Sequence, residues 1–171
     1  MTLAFSEYIN GKPTHFLEKI WSGLIDRLDH INISHYEEYS KAYEEKFNKP
    51  LSEWDEMYIK TKIHTIREDK SDRWKSGNKI HLVINNRTSN RFQFAPTLEC
   101  LNIQKLTFDY GEEACDWYGM EPVIAIDGNP ITIEEADRLA MNDGFEDSSA
   151  MCKYFNKDFE GKIIHWTSKK Y

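Results

Sequence analysis

The 171-residue chain is short of several things. It has three cysteines, Cys100, Cys115 and Cys152, an odd and scattered set. That excludes a disulfide framework and points to free thiols in a reducing cytoplasm. Its longest apolar runs are only a few residues, such as "LVI" at 82–84, too short for a bilayer-spanning helix. The opening "MTLAFSEYINGKPTHF" has no basic segment followed by an apolar one, so no secretory signal is expected. There is no glycine-rich phosphate loop, no nucleophile elbow and no Cys-x-x-Cys. None of the six histidines (15, 30, 35, 64, 81, 165) pairs with another at the i, i+4 spacing of a helical metal site. A zinc site assembled from distant His and Cys is the alternative to an expectation of no metal and no organic cofactor. Internal repeats and low-complexity linkers are also missing.

What is present is a globular composition, 40% hydrophobic and 13% aromatic, in a chain long enough to bury a core without disulfides. The net charge of −7 conceals an asymmetry. Between Lys60 and Arg91, nine Lys or Arg face three acids, giving that segment +6 and the remainder −13. A cationic middle on an anionic body implies a local site for phosphate or carboxylate, and argues against a surface coated for non-specific duplex binding. A solvated loop paired with nearby acids is the alternative.

The periodicity predicts helices first. In 14–28, Phe16, Ile20, Leu24 and Leu28 form a stripe behind Pro13 and Thr14. In 34–47, Ser34 and Glu37 have capping-box spacing, and Tyr36, Tyr39, Tyr43 and Phe47 make an aromatic stripe. Pro50 ends that helix, and 52–61 fits a short third one. After Lys62 the pattern changes to strands. One is predicted over 78–87, and a strand, break and strand over 91–108, interrupted at Pro96. A hairpin is predicted around Asp127-Gly128 in 122–132. Two helices, 132–144 with a Thr132/Glu135 capping box and 146–159, precede a last strand at 161–167. Close strand spacing between 78 and 131 suits a small barrel.

The segment "KIHTIRED" (62–69) concentrates the polar chemistry. Extended, it would alternate its side chains between two faces. Thr65 is a nucleophile only once a base takes its proton, and Lys62 is a base only if desolvated. Arg67 offers a planar fork to a phosphate or carbonyl oxygen. The same residues also fit a structural turn whose Thr and Arg satisfy backbone carbonyls.

"KIHTIRED" followed by "DRWKSGNKIHLVINNR" resembles the signature of the ASCH family, a branch of the PUA-like superfamily: a lysine, Thr-Ile-Arg, then a Gly before a strand ending in Arg. "LAMNDGFEDSSAMCKYFNKDFEGKIIHWT" resembles the family's second region, where an acidic residue and a Gly-Phe pair open a helix leading to the last strand. The similarity spans about 62–167, with an uncharacteristic stretch near 109–121. It implies an α+β fold: a small PUA-like β-barrel flanked by helices over 61–171, with a helical N-terminal elaboration, 1–60, packed on it. It implies a cleft between the 62–67 loop and the end of the 132–144 helix, binding RNA or a modified nucleoside in a bacterial or phage cytoplasm. One bacterial branch of the family deacetylates N-acetylcytidine with lysine, threonine and glutamate. By motif position Lys62, Thr65 and Asp143 match these, and Arg67 matches the family arginine. Asp143 is a departure, one methylene short of glutamate.

Three expectations follow. In the binding reading, Arg67, Lys75, Arg87 and Arg91 meet phosphate while Trp74 or Phe92 stacks on a base. Trp74 as plain packing is the alternative. In the enzyme reading, an amidohydrolase, Lys62 accepts the hydroxyl proton, Thr65 attacks the acyl carbonyl and Asp143 orients a water or the lysine. In the third, a protein–protein interaction module, the 34–47 aromatic stripe docks another chain and stands exposed in the isolated protein.

Overall fold

The computed structural model describes residues 1–9, 11–51, 60–111, 115–116, 119–120 and 122–171. In chain order its elements are β1 (Thr2–Phe5), β2 (Tyr8–Ile9), β3 (Lys12–Pro13), α1 (Phe16–Arg27), α2 (Ile33–Phe47), β4 (His64–Arg67), β5 (Lys79–Ile84), β6 (Phe92–Gln93), β7 (Leu98–Glu99), β8 (Asn102–Asp109), β9 (Cys115–Asp116), β10 (Gly119–Met120), β11 (Val123–Ile126), β12 (Asn129–Pro130), α3 (Ile133–Asp143), α4 (Ser148–Tyr154) and β13 (Phe159–His165). The fold is mixed α+β. Among the described residues the sheets are open and none closes into a barrel. No described helix is long and apolar enough to cross a membrane. The expected helix over 52–61 lies almost wholly outside the described residues.

The chain divides into two compact units, each made of two segments: 1–63 with 78–99, and 64–77 with 100–171. This division differs from the expected 1–60 and 61–171 at residues 61–63 and 78–99, which join the N-terminal elements. The reason is strand pairing. β1 runs parallel to β5, with Leu3 opposite Leu82 and Phe5 opposite Ile84. β6 and β7 then pair antiparallel with β5. The N-terminal segment is accordingly not purely helical, since it also carries β1 and the small β2–β3 hairpin.

In the first unit α1 buries Leu17, Ile20, Trp21 and Leu24. Each fully buried aliphatic side chain contributes roughly 1.5–3 kcal/mol. Phe16 and Leu28, the ends of the anticipated stripe, are half-buried. The Trp21 indole N–H donates to the Phe94 carbonyl at 2.9 Å. Gly23 faces the backbone of residue 62: a Cβ there would lie 2.6 Å from the Lys62 carbonyl oxygen. This close approach accompanies the bond from the Lys62 N–H to the Lys19 carbonyl, 2.8 Å.

The α2 stripe packs inside the same unit. Tyr36 and Tyr39 meet Trp21 at 5.5 and 5.8 Å between ring centroids. Tyr43 and Phe47 meet Phe92 at 5.7 and 5.8 Å. The helix starts two residues earlier than Ser34 implied. Asn32 is the N-cap, accepting from the Ser34 and His35 N–H groups, and His35 rather than Glu37 completes the box.

The second unit is built on a five-stranded antiparallel sheet in the order β12-β11-β8-β13-β4. Asp127 and Gly128 both take positive φ, 52° and 84°, in the turn between β11 and β12, as expected for that dipeptide. α3 begins with the anticipated capping box, Thr132 and Glu135, and ends at Gly144. α4 starts on Asp147 and ends sooner than expected, at Tyr154. Leu106, Phe108, Ile124, Ile126, Ala136, Leu139, Met151 and Ile163 form the core.

Candidate functional site

In "KIHTIRED" the central four residues are strand β4, at the sheet edge. His64 lies opposite His165, Thr65 opposite Ile164, Ile66 opposite Ile163 and Arg67 opposite Lys162. An edge strand needs its backbone donors satisfied. Asp143, at the C-terminal end of α3, meets that need: its Oδ1 accepts the Ile66 N–H at 2.9 Å. His64 Nε2 lies 3.9 Å from the same oxygen. On the other side of the ring, His64 Nδ1 is 3.5 Å from the Tyr171 hydroxyl, which accepts the Asn142 amide N–H at 2.7 Å. His165 is fully buried beside them, 5.4 Å from His64 between ring centroids. Burial first, then Lys170, pushes its imidazole down to about 4, so it is neutral at pH 7. Burial likewise raises the Tyr171 phenol.

The three residues matched to catalysis are all buried: Lys62 is 1% exposed, Thr65 2% and Asp143 7%. Thr65 and Asp143 belong to the second unit and Lys62 to the first. Within the first unit the Lys62 ammonium lies 5.3 Å from the centre of the Phe16 ring and 5.9 Å from that of Phe5. The tie between Asp143 and β4 unites two distant parts of the chain that sequence similarity alone had paired.

The phosphate-contact candidates divide between the two units. Arg67, Trp74 and Lys75 fall in the second unit, Arg87 and Arg91 in the first, where both are exposed. Trp74 is 6% exposed and presents no open face for stacking, in keeping with the packing alternative. Phe92 packs on Tyr43 and Phe47. Lys75 pairs with Asp72.

The loop after β4 is pinned by Asp69, whose side chain is 2% exposed. Its carboxylate accepts the Trp74 N–H at 2.9 Å, the Arg73 N–H at 3.1 Å and the Lys162 ammonium at 3.0 Å. Burial pushes the Asp69 carboxyl up, but the Trp74 N–H, Lys162 and the Arg73 N–H together hold it below the usual range. Hydrogen bonds from Lys162 and Lys75 hold Asp72 down to about 2. Of the cations in 60–91, Lys70, Lys75 and Lys79 are ion-paired with Glu68, Asp72 and Glu99.

Arg67 lines a groove of about 360 Å³ bounded by Ile66, Glu68 and the 154–159 segment that follows α4. Tyr154 is 56% exposed at this groove, and Phe155 and Phe159 stand 4.5 Å apart behind it. Phe155 stacks on the core residue Phe108 at 4.9 Å. Tyr110 fastens the segment, its hydroxyl donating to the Phe155 carbonyl at 2.7 Å and its N–H to the Asp158 carboxylate at 2.8 Å. Lys157 and Asn156 complete the wall. These residues are hidden in the sequence because 146–159 fits a single helix, whereas α4 ends at Tyr154. The three aromatics among polar residues in "KYFNKDF" are the signal that marks them.

Among the described residues no group of three His, Cys, Asp or Glu side chains gathers as a metal would require. No family model, curated protein or solved structure matches the chain.

Proposed function

We propose that this protein is an ASCH-type, PUA-like domain that binds RNA or a modified nucleoside in the cytoplasm. The motifs at 62–87 and 139–167 support the family assignment. The observation that carries the location is the groove at the end of β4, where Arg67 and Lys157 flank an exposed Tyr154 ring. A base stacks on Tyr154, the two cations meet phosphate, and Asn156 offers both a donor and an acceptor to a base edge. The binding place is thus moved from the end of α3 to the segment after α4, while Arg67 keeps its expected role.

The test is fluorescence anisotropy with a labelled single-stranded RNA octamer over a salt series. Affinity is expected to fall as salt rises, because phosphate contacts release counterions. Tyr154→Ala is expected to weaken binding by about 1–3 kcal/mol, the usual worth of one base stack, at all salt concentrations. Lys157→Ala and Arg67→Ala should instead reduce the salt dependence. Binding indifferent to all three substitutions would sink the reading.

Hydrolysis of an acylated base is a second reading, favoured by the burial of the Thr65 hydroxyl and the Asp143 carboxylate near one end of β4. In it the Thr65 oxygen bonds to the acyl carbon as its proton leaves for the base. The protonated amine then departs, and water releases the acid. Free acetate is followed after incubation with N-acetylcytidine. Turnover abolished by Thr65→Ala and Lys62→Ala is the expected result; absence of turnover in the unaltered protein ends this reading and leaves the binding one standing.

A further inference from the structure

The second unit carries a groove that neither reading above uses. It has a volume of about 260 Å³, and Pro122, Val123, Ile124, Ile131, Ile133 and Ala136 form its apolar wall. None of its lining residues borders the Arg67 groove. Ile124 and Ala136 are buried and belong to the core. Val123 and Ile133 do not: they are 48% and 70% exposed. Two exposed aliphatic side chains beside a concave apolar wall mark a surface suited to a partner.

The rim of the groove is acidic. Residues 132–149 carry six Asp or Glu and a single cation, Arg138, a net −5. Of those acids only Asp143 is buried. Backbone hydrogen bonds fix three of the others beside the groove. Glu135 Oε2 accepts the Thr132 N–H at 2.8 Å and Asp137 Oδ1 the Ser148 N–H at 2.9 Å, and both donors line the groove. Asp147 Oδ1 accepts the Ala150 N–H at 2.7 Å, just beyond the lining residues Ser148 and Ser149. Glu134 is exposed next to Ile133.

The sign of this charge selects the occupant. It repels nucleic acid and an anionic membrane surface, and a neutral apolar molecule gains nothing from it. In a two-fold dimer centred on the groove, the acidic rim would face itself. We propose that this groove docks a basic peptide segment of a partner protein, with one apolar side chain seated against Val123 and Ile133 and flanking lysines or arginines meeting the acidic rim. Size limits the anchor. A cavity of roughly 150 Å³ holds benzene, so this one takes a single aromatic or branched side chain rather than the row of anchors that a long helix lays down. The anchor supplies affinity, and the charged rim supplies selection between partners.

The probe is a fluorescein-labelled peptide with one central phenylalanine flanked by lysines, titrated with the full chain by fluorescence anisotropy. Two companion peptides carry alanine in place of the phenylalanine, or glutamine in place of every lysine. Saturable binding of the first peptide is expected, at least tenfold tighter than either companion and weakening as salt rises. Ile133→Ser and Glu134→Lys, both at exposed positions, should each weaken it at least fivefold. Ile33→Ser, at an exposed position in the first unit, should leave it unchanged. Equal binding of the alanine peptide reduces the contact to charge alone and overturns the proposal. Equal binding of the glutamine peptide makes the groove a neutral apolar site and overturns it too, as does full retention in both groove variants. Self-association of the chain that Ile133→Ser abolishes, read by light scattering, assigns the groove to a second copy and likewise overturns it. Should Ile133→Ser fail to fold, Glu134→Lys and the companion peptides decide. The RNA reading rests on other residues, so the failure of either leaves the other intact.

Discussion

Asp69 shows how one carboxylate organises a loop rich in opposite charges. Four protein atoms depend on it directly or through Lys162: the N–H groups of Arg73 and Trp74, the Lys162 ammonium, and the Trp74 carbonyl that accepts from Lys162 at 3.2 Å. Asp69→Asn is expected to lower stability by about 1–3 kcal/mol, since hydrogen bonds to a charged group are lost. The pH dependence has a definite sign. The folded carboxyl titrates below its unfolded value, so its contribution is complete above the unfolded carboxylate range near 4 and disappears as pH falls through the folded value. Urea denaturation of both proteins at pH 7 and pH 3 checks this: the gap between them should narrow in acid. At this scale "KIHTIRED" was only partly legible. Its chemistry is visible in the sequence, but the loop clasp made by Asp69 depends on Lys162, which is 93 residues away.

Among the elements, α1 and α3 were legible because their signals are local. An apolar stripe and a Thr132/Glu135 box need no distant partner. The start of α2 was misplaced because Ser34 and Glu37 have the right spacing while Asn32, two residues earlier, has an acceptor reaching two N–H groups. The edge strand β4 gave little signal of its own, being four residues held by β13 and by Asp143. Gly23 is similarly silent in the sequence: it reads as a weak point in α1, yet it makes room for the Lys62 carbonyl. Gly23→Ala should gain about 1 kcal/mol in intrinsic helix propensity but incur a backbone overlap costing about 1–3 kcal/mol. A lower melting temperature is expected by differential scanning fluorimetry, with Ser22→Ala as a neighbouring control. A rise in melting temperature would show that the close approach relaxes freely.

For the molecule as a whole, the interleaving of segments is the main departure from the expected organisation. A parallel pairing between β1 and β5 leaves no mark in either strand's own residues, so the boundary at 60/61 was a natural reading of the shift from helical to strand pattern. The pairing makes a prediction. A fragment comprising 61–171 would lack β1 and α1, exposing Leu82, Val83 and Ile84, all buried in the full chain. It should bind a hydrophobic dye and aggregate, whereas the full chain should not. A monodisperse fragment with cooperative unfolding would show that 61–171 is self-sufficient after all.

The parallel alignment of Thr2 with His81 has a further consequence, for biosynthesis. At about 5–20 residues per second, the ribosome takes several seconds to supply the partner that β1 requires. Throughout that interval the nascent chain presents Leu3 and Phe5 without their mate, an opening in which a holdase chaperone has time to act.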